Sequence, residues 1–228
     1  MSFIKQGLRK ALSQSETGKK ILLCRDLSIS DLKNLLAFRS HLGKMGWIRS
    51  VEEGLPVDES GQCLPWFTYP AITFLKNRID PNMAIFEYGS GNSTLWWSKQ
   101  VASIVSYEHD RSWFEAMENK VPENVDYHHS ELEYGGDYSK AILNYQNQFD
   151  VIVVDGRDRI NCVKNCLAAL KPNGVVIFDN SDRVKYQEGY DFLLDKGFRR
   201  LDFEGHGPIN SYSWCTSVFY RSDNCLDL

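Results

Sequence analysis

The sequence predicts an α/β fold built on a doubly wound, mostly parallel sheet, and two observations carry this prediction. After residue 80, short apolar segments alternate with amphipathic stretches of helical length, which is typical of parallel strands joined by right-handed helical crossovers. Moreover, segments 149–154 and 174–178 are apolar at nearly every position, as expected of central strands covered on both faces. A chain of 228 residues accommodates one such domain with an extension.

The individual elements follow from local patterns. Strands are predicted at 83–87, 103–108, 124–128, 149–154 and 174–178, with two more at 198–203 and 215–220. Helices are predicted near 92–101, 111–120, 138–147, 159–170 and 184–196. The run Lys171-Pro172-Asn173-Gly174 predicts the end of a helix followed by a turn.

Residues 1–64 are predicted to form a helical extension of the domain at 65–228. Apolar and basic residues between Phe3 and Leu12 describe a basic amphipathic helix, and a second helix is expected from Asp31 to His41. The first helix is expected to pack on the protein's own core or on a partner subunit, which would make a homodimer. Contact with an anionic membrane surface is the alternative.

Charge and hydropathy exclude several classes of protein. Lys plus Arg number 26 and Asp plus Glu number 30, so the net charge is −4, and no broad basic surface is available for nucleic acid. No apolar stretch approaches the roughly 18 residues of a membrane span. Because the N-terminus also lacks the apolar region of a signal peptide, a cytoplasmic protein is expected.

The most informative segment is the glycine loop that follows the strand predicted at 83–87. Gly89 and Gly91 allow a sharp turn and close approach of the backbone to a ligand. A dinucleotide-binding loop would have a third glycine where this chain has Thr94. Glu87 would repel a pyrophosphate but attract an ammonium group, so a cofactor with an amino group is favoured.

A second acidic residue, Glu108, ends the next predicted strand, where its carboxylate is suited to accept both hydroxyls of a ribose. His109 follows and is expected to lie against an adenine ring. With this pair the loop Glu-x-Gly-x-Gly-x-Ser resembles the first motif of class I S-adenosylmethionine-dependent methyltransferases. The resemblance covers roughly residues 66–221 and includes the Leu-Lys-Pro-Asn-Gly-Val turn and two closing strands.

The resemblance implies a Rossmann-like sheet of seven strands, mostly parallel, that closes with an antiparallel hairpin. It also implies S-adenosylmethionine as cofactor, with an N-terminal segment draped over it. Tyr69 or Trp66 would line that cover, or these aromatic residues would anchor the following helix. The expected cofactor-binding residues are Tyr69, Glu87, Gly89, Ser90, Gly91, Ser93, Thr94, Glu108, His109 and Asp155.

Three oxygen-bearing side chains follow the fourth and fifth strands: Asp155, Asp179 and Asn180. Such oxygens bind Mg²⁺ or another divalent cation, and the arrangement resembles the metal site of the catechol and caffeoyl-coenzyme A O-methyltransferases. Where that group has a catalytic lysine, this chain has Asp158. The alternative is that Asp155 bonds the cofactor or loop amides while Asp179 and Asn180 cap the next helix.

His206 is the candidate general base, because it lies in a glycine-rich segment between the last two strands and histidine titrates near neutrality. Asp158 is the second candidate, and the loop from Gly205 to Ser213 is expected to form the acceptor side. The sequence therefore predicts methyl transfer to a small molecule at oxygen. A non-catalytic Rossmann-like binding subunit and a nicotinamide-dependent oxidoreductase are the alternatives.

Overall fold

A computed structural model of the protein describes residue 34 and residues 40–228. The helix predicted near Phe3 and most of the one predicted from Asp31 lie outside these residues.

The helices are α1 His41–Lys44, α2 Trp47–Glu53, α3 Tyr69–Lys76, α4 Asn92–Ser98, α5 Arg111–Met117, α6 Asp137–Lys140, α7 Arg159–Cys166 and α8 Gln187–Asp195, with 3₁₀ turns at Ala141–Asn144 and Val184–Tyr186. The strands are β1 Ala84–Tyr88, β2 Ser103–Glu108, β3 Val125–His129, β4 Phe149–Val154, β5 Leu170–Asp179, β6 Arg199–Gly205 and β7 Trp214–Tyr220.

The seven strands form one sheet in the order β3-β2-β1-β4-β5-β7-β6. Strands β1 to β5 are parallel, whereas β7 runs antiparallel to both β5 and β6. The order reverses between β1 and β4, which places a topological switch point at their carboxyl ends. The predicted doubly wound sheet with a closing antiparallel hairpin is therefore confirmed.

The turn predicted at Lys171–Gly174 is wrong, because β5 already begins at Leu170. Leu170 pairs with Phe149, and the register then shifts before Val151. Strand β7 pairs with β5 only from Val176 onwards, so this first part of β5 has a neighbour on one side. An irregular strand with one free edge accepts a proline that a central strand would not.

Two hydrophobic layers cover the sheet, because successive strand residues point to opposite faces. On β1, Phe86 packs with the layer that contains α7 and α8, whereas Ile85 packs with the layer that contains α3 and α4. All side chains of β4 are buried. This core holds the carboxyl ends of the central strands in fixed positions.

The described part of the extension packs on the same core and reaches the loops above the sheet. The Trp47 indole donates a hydrogen bond to the carbonyl of Asn210 (2.9 Å), and the Asn92 amide donates to the carbonyl of Pro56 (2.7 Å). Whether a homodimer forms stays a prediction. None of the helices in residues 40–228 is long and apolar enough to cross a bilayer.

Candidate active site

A cavity of about 660 Å³ lies at the carboxyl ends of the central strands. Its wall is formed by loops from six parts of the chain: residues 54–56 with 66, 89–93, 108–110 with 113, 155–157 with 159, 179–180 with 183, and 210, 212 and 214. Open α/β sheets bind ligands at this edge and at the switch point. The volume is that of a small-molecule site.

The glycine loop forms the floor of the cavity between β1 and β4. Gly89 has a φ of +89°, and a Cβ placed on it would lie 2.8 Å from the Cα of Gly156. A Cβ on Gly156 would lie 2.0 Å from the Tyr138 hydroxyl oxygen. The two loops pack backbone against backbone, so both glycines are required for the shape of the floor.

Glu87 lies beneath this loop, not in the cavity. Its side chain is fully buried, and one carboxylate oxygen accepts hydrogen bonds from the hydroxyls of Thr94 (2.5 Å) and Ser106 (3.0 Å). Thr94 in turn accepts from the amide of Gly91 (3.1 Å). Glu87 and Thr94 thus fix the start of α4 and do not line the cavity, contrary to the expected contact of Glu87 with the cofactor's amino group.

Burial raises the pKa of Glu87 to about 7, despite hydrogen bonds from Ser93, Thr94 and Ser106. A carboxyl group whose pKa is higher in the folded state stabilises the fold most at low pH, and this stability is lost as the pH rises towards 7. From the ordinary value of 4.5, the loss is on the order of 3 kcal/mol in the free energy of unfolding.

Glu87→Gln is therefore expected to flatten the decrease in the free energy of unfolding between about pH 4.5 and 7, because the amide does not ionise. Urea denaturation at several pH values measures this change. Glu115→Gln, at an exposed position, is the control and should keep the pH dependence of the wild type. The same slope in Glu87→Gln and the wild type would contradict a buried carboxyl group with a raised pKa.

Glu108 ends β2 and lines the cavity. One oxygen accepts from the amide and the hydroxyl of Ser90 (2.9 and 2.8 Å), and the other accepts from the amides of His109 and Asp110 (2.8 and 2.9 Å). Burial alone would raise the pKa of Glu108, but these hydrogen bonds outweigh it and lower the pKa. The residue is thus an ionised acceptor that joins the glycine loop to β2.

Two tryptophans form exposed walls of the cavity. Trp113 is 40% exposed, and its indole donates to the carbonyl of Ser90 (3.0 Å). Trp66 is 44% exposed and belongs to the segment before α3. Large aromatic faces in a cavity are suited to stack against a planar ring. Trp113 was not a sequence candidate, although its place in the first turn after Glu108 is a usable signal.

Tyr69 does not line the cavity, so of the two expected cover residues only Trp66 does. Tyr69 is 4% exposed at the start of α3, and its amide donates to the carbonyl of His206 (2.7 Å). It anchors the helix, which was the alternative interpretation. The other predicted cofactor positions that line the cavity are Gly89, Ser90, Gly91, Ser93, Glu108, His109 and Asp155.

At the opposite end of the cavity, Arg159 joins the ends of β4 and β5. Its guanidinium donates to Asp155 Oδ1 (2.9 Å), to the carbonyls of Asp155 (2.8 Å) and Gly156 (3.0 Å), and to the carbonyl of Asp179. Burial opposes the charge on Arg159, but the Asp155 and Asp179 carboxylates raise its pKa. The arginine is a buried, permanently charged link between two strand ends.

The pKa values of both carboxyl groups of this cluster are raised. Burial and then the negative charge of Asp179 raise the pKa of Asp155 well above its ordinary value, against the effect of Arg159. Burial also raises the pKa of Asp179. Asp179 Oδ1 accepts from the indole of Trp214 (2.9 Å) and the hydroxyl of Thr216 (2.6 Å), so Asp179 binds β7 and does not cap a helix.

Comparison with known proteins identifies the domain. Residues 86–181 match the model of a family described as a methyltransferase domain, and this range contains the glycine loop, Glu108 and Asp155. This match indicates a methyltransferase domain over residues 86–181. The methyltransferase family uses S-adenosylmethionine as its cofactor.

Solved structures share the fold of this protein. A precorrin 8w decarboxylase from Methanobacterium thermoautotrophicum is 16% identical, with a TM-score of 0.51 over 74% of this chain and 97% of that chain. A precorrin-6y C5,15-methyltransferase from Geobacter metallireducens GS-15 is 14% identical, with a TM-score of 0.54 over 75% and 96%. The likeness concerns the fold alone. The comparison with curated proteins gave no match.

The residues expected to bind Mg²⁺ do not fit a divalent cation. The Arg159 guanidinium is bonded to Asp155 Oδ1 and covers the strand end beside it, so a cation there would face a like charge. Asp179 Oδ1 is already engaged by two donors. Within residues 40–228, no cluster of three or more His, Cys, Asp or Glu side chains is arranged around a metal position.

We expect Mg²⁺ and Mn²⁺ to leave both the melting temperature and the affinity for S-adenosylhomocysteine unchanged, because the arginine already neutralises the cluster. Thermal melts and calorimetric titrations, each with metal or with chelator, measure the two quantities. A metal-dependent rise in melting temperature that is lost in Asp179→Ala would contradict this prediction.

Neither predicted general base reaches the cavity. Asp158 is buried, and its carboxylate accepts from the amide of Gly135 (2.7 Å) and the side chain of Asn161 (2.8 Å). His206 is exposed outside the cavity, in the loop between β6 and β7. The same loop does supply Asn210 and Tyr212 to the wall, whereas its histidine lies outside, and its role as the acceptor side stays a prediction.

Proposed function

We propose that the protein transfers the methyl group of S-adenosylmethionine to a small-molecule acceptor, at oxygen, in the cytoplasm. One observation carries the proposal: a single cavity of about 660 Å³ joins the ribose-binding candidate Glu108 to the polar cluster at Asp155. The cofactor would lie over the glycine loop between Trp113 and Trp66. The acceptor would lie beside Asp155, Asn180 and the loop that carries Tyr212.

Oxygen as the target is supported by the arrangement of Asp155. Arg159 occupies one carboxylate oxygen, and the other has no donor among the described residues. That oxygen is suited to accept a hydrogen bond from an acceptor hydroxyl and to orient it for in-line attack. Positioning alone supplies much of the rate for a sulfonium donor, because the methyl group is already activated.

Two other classes of function are separated from this one by their ligands. A nicotinamide oxidoreductase would bind NAD or NADP, and a non-catalytic subunit would bind S-adenosylmethionine without turnover. Calorimetry with S-adenosylmethionine, S-adenosylhomocysteine, NAD and NADP distinguishes the proposed methyltransferase from a nicotinamide oxidoreductase. Binding of the dinucleotides in preference to S-adenosylhomocysteine would overturn the proposal.

Turnover is tested with ¹³C-methyl-labelled cofactor and a cell extract divided by ultrafiltration into small molecules and macromolecules. We expect label to appear in the small-molecule fraction, with the chemical shift of a methyl group bonded to oxygen. Label confined to the macromolecular fraction would refute the small-molecule acceptor. Label on carbon or nitrogen would refute the assignment to oxygen but retain methyl transfer.

The loop between β6 and β7 gives a matched pair of variants. Tyr212→Ala is expected to lower the rate of methyl transfer at least severalfold, the usual effect of one lost contact, because Tyr212 lines the cavity. Its affinity for S-adenosylhomocysteine should stay within twofold of the wild-type value. His206→Ala should resemble the wild type, because its side chain lies outside the cavity. If His206→Ala lost methyl transfer while Tyr212→Ala kept the wild-type rate, His206 and not Tyr212 would belong to the acceptor side.

A further inference from the structure

The cavity is lined by charged side chains of both signs. Glu108 and Asp110 line it near the end of β2, where the cofactor would bind. Near the ends of β4 and β5 it is lined by two carboxylates and three arginines: Asp155, Asp179, Arg157, Arg159 and Arg183. The arginines therefore outnumber the carboxylates there, although the whole chain carries a net charge of −4.

Arg159 is already committed to the protein. It is 5% exposed and donates hydrogen bonds to the Asp155 carboxylate and to carbonyls at the ends of β4 and β5. Four donor interactions leave a guanidinium with five N–H groups little capacity for a ligand. Its function is to hold the strand ends together, and the charge available to a ligand comes from the other two arginines.

Arg157 and Arg183 come from different loops, after β4 and after β5, and both line the cavity. Neither has an acidic partner within salt-bridge distance among the described residues. The acids next to them in the chain are engaged elsewhere. Asp158 accepts from Gly135 and Asn161, and Asp182 accepts from the amide of Cys215 (3.1 Å).

We propose that the methyl acceptor carries an anionic group, a carboxylate or a phosphate, which Arg157 and Arg183 bind in the cavity. This inference rests on the proposed function and names the class of its substrate. Guanidinium groups bind both anions through paired, charge-assisted hydrogen bonds. Asn210 and Tyr212 lie on the same wall and supply neutral donors to the remainder of the acceptor.

The first test separates the small-molecule extract on an anion-exchange column and incubates each fraction with the enzyme and labelled cofactor. We expect the label to enter the retained, anionic fraction. Pretreatment with alkaline phosphatase distinguishes the two anions, because it abolishes retention of a phosphate monoester and leaves a carboxylate retained. Label found only in the unretained fraction would overturn the anionic acceptor but keep methyl transfer. Failure to bind S-adenosylhomocysteine would overturn the proposed function itself.

The second test uses Arg157→Gln and Arg183→Gln with the fraction that accepts label. Each is expected to raise the KM for the acceptor about tenfold, the scale of one lost charge-assisted interaction, with affinity for S-adenosylhomocysteine unchanged. Lys185→Gln is the charge-matched control, because Lys185 is exposed two residues from Arg183 and does not line the cavity. It should keep the wild-type KM.

Two results of the variant experiment would refute the inference. If Arg157→Gln and Arg183→Gln bind S-adenosylhomocysteine tenfold more weakly, the arginines serve the carboxylate of the cofactor and not the acceptor. If Lys185→Gln raises the KM as much as they do, the effect belongs to the general charge of the surface. Added salt provides an independent measure, because it should raise the wild-type KM more than that of the arginine variants.

Discussion

Glu108→Ala is expected to weaken binding of S-adenosylhomocysteine at least tenfold. The carboxylate is the candidate acceptor for the ribose hydroxyls, and hydrogen bonds to a charged acceptor contribute roughly 1.5–3 kcal/mol each. The substitution also frees the backbone amides of Ser90, His109 and Asp110, so the glycine loop loses its link to β2. Isothermal titration calorimetry measures the affinity.

Two further variants separate the ribose contact from the loop contact. Glu108→Gln retains one carbonyl oxygen that can accept loop hydrogen bonds, and we expect it to bind more tightly than the alanine variant. Glu115→Ala, at an exposed position of α5, should bind as the wild type does. Unchanged affinity in Glu108→Ala would remove Glu108 from the cofactor site.

Arg159→Met is expected to lower the free energy of unfolding by about 3–5 kcal/mol, the usual cost of removing one partner of a buried ion pair. Asp155 would be left without its positive partner, and carbonyl groups of Asp155, Gly156 and Asp179 would lose a donor. Methionine has a similar length and apolar character, so lost packing contributes little. Urea denaturation measures the change.

Arg157→Met is the matched control, because it removes the same charge two residues away at an exposed position. Surface substitutions of this kind usually change stability by less than about 0.5 kcal/mol. A double variant, Arg159→Met with Asp155→Asn, should recover part of the loss, since it removes the unpaired carboxylate as well. Equal stability of Arg157→Met and Arg159→Met would show that the buried guanidinium does not join the strand ends.

The glycine loop and Glu108 could be predicted because their signals are local. A strand followed by two glycines, and an acid at the end of the next strand, occupy short stretches whose meaning depends on the fold class alone. The predicted contacts of Glu87 and Thr94 with the cofactor were less accurate, because neither side chain lines the cavity. A side chain in β1 points to one face or the other, and the sequence around Glu87 is compatible with either.

The failures share one physical cause, which is that the partner of a side chain lies far away in the chain. Asp155 and Asp179 look like metal ligands until Arg159 is seen between the strand ends. His206 looks like a base until the loop turns its side chain outwards. Trp66 and Trp113 line one cavity, although they lie 47 positions apart in the sequence.

By itself, the sequence determined the fold class, the order of the strands along the chain and the location of the glycine loop. Periodic burial and glycine positions encode these features directly, and each is read from a few consecutive residues. Only the tertiary structure decided which polar side chains face the cavity and which are engaged inside the protein. That choice depends on long-range pairing, in particular on Arg159, whose hydrogen bonds occupy acidic positions that the sequence had assigned to a metal.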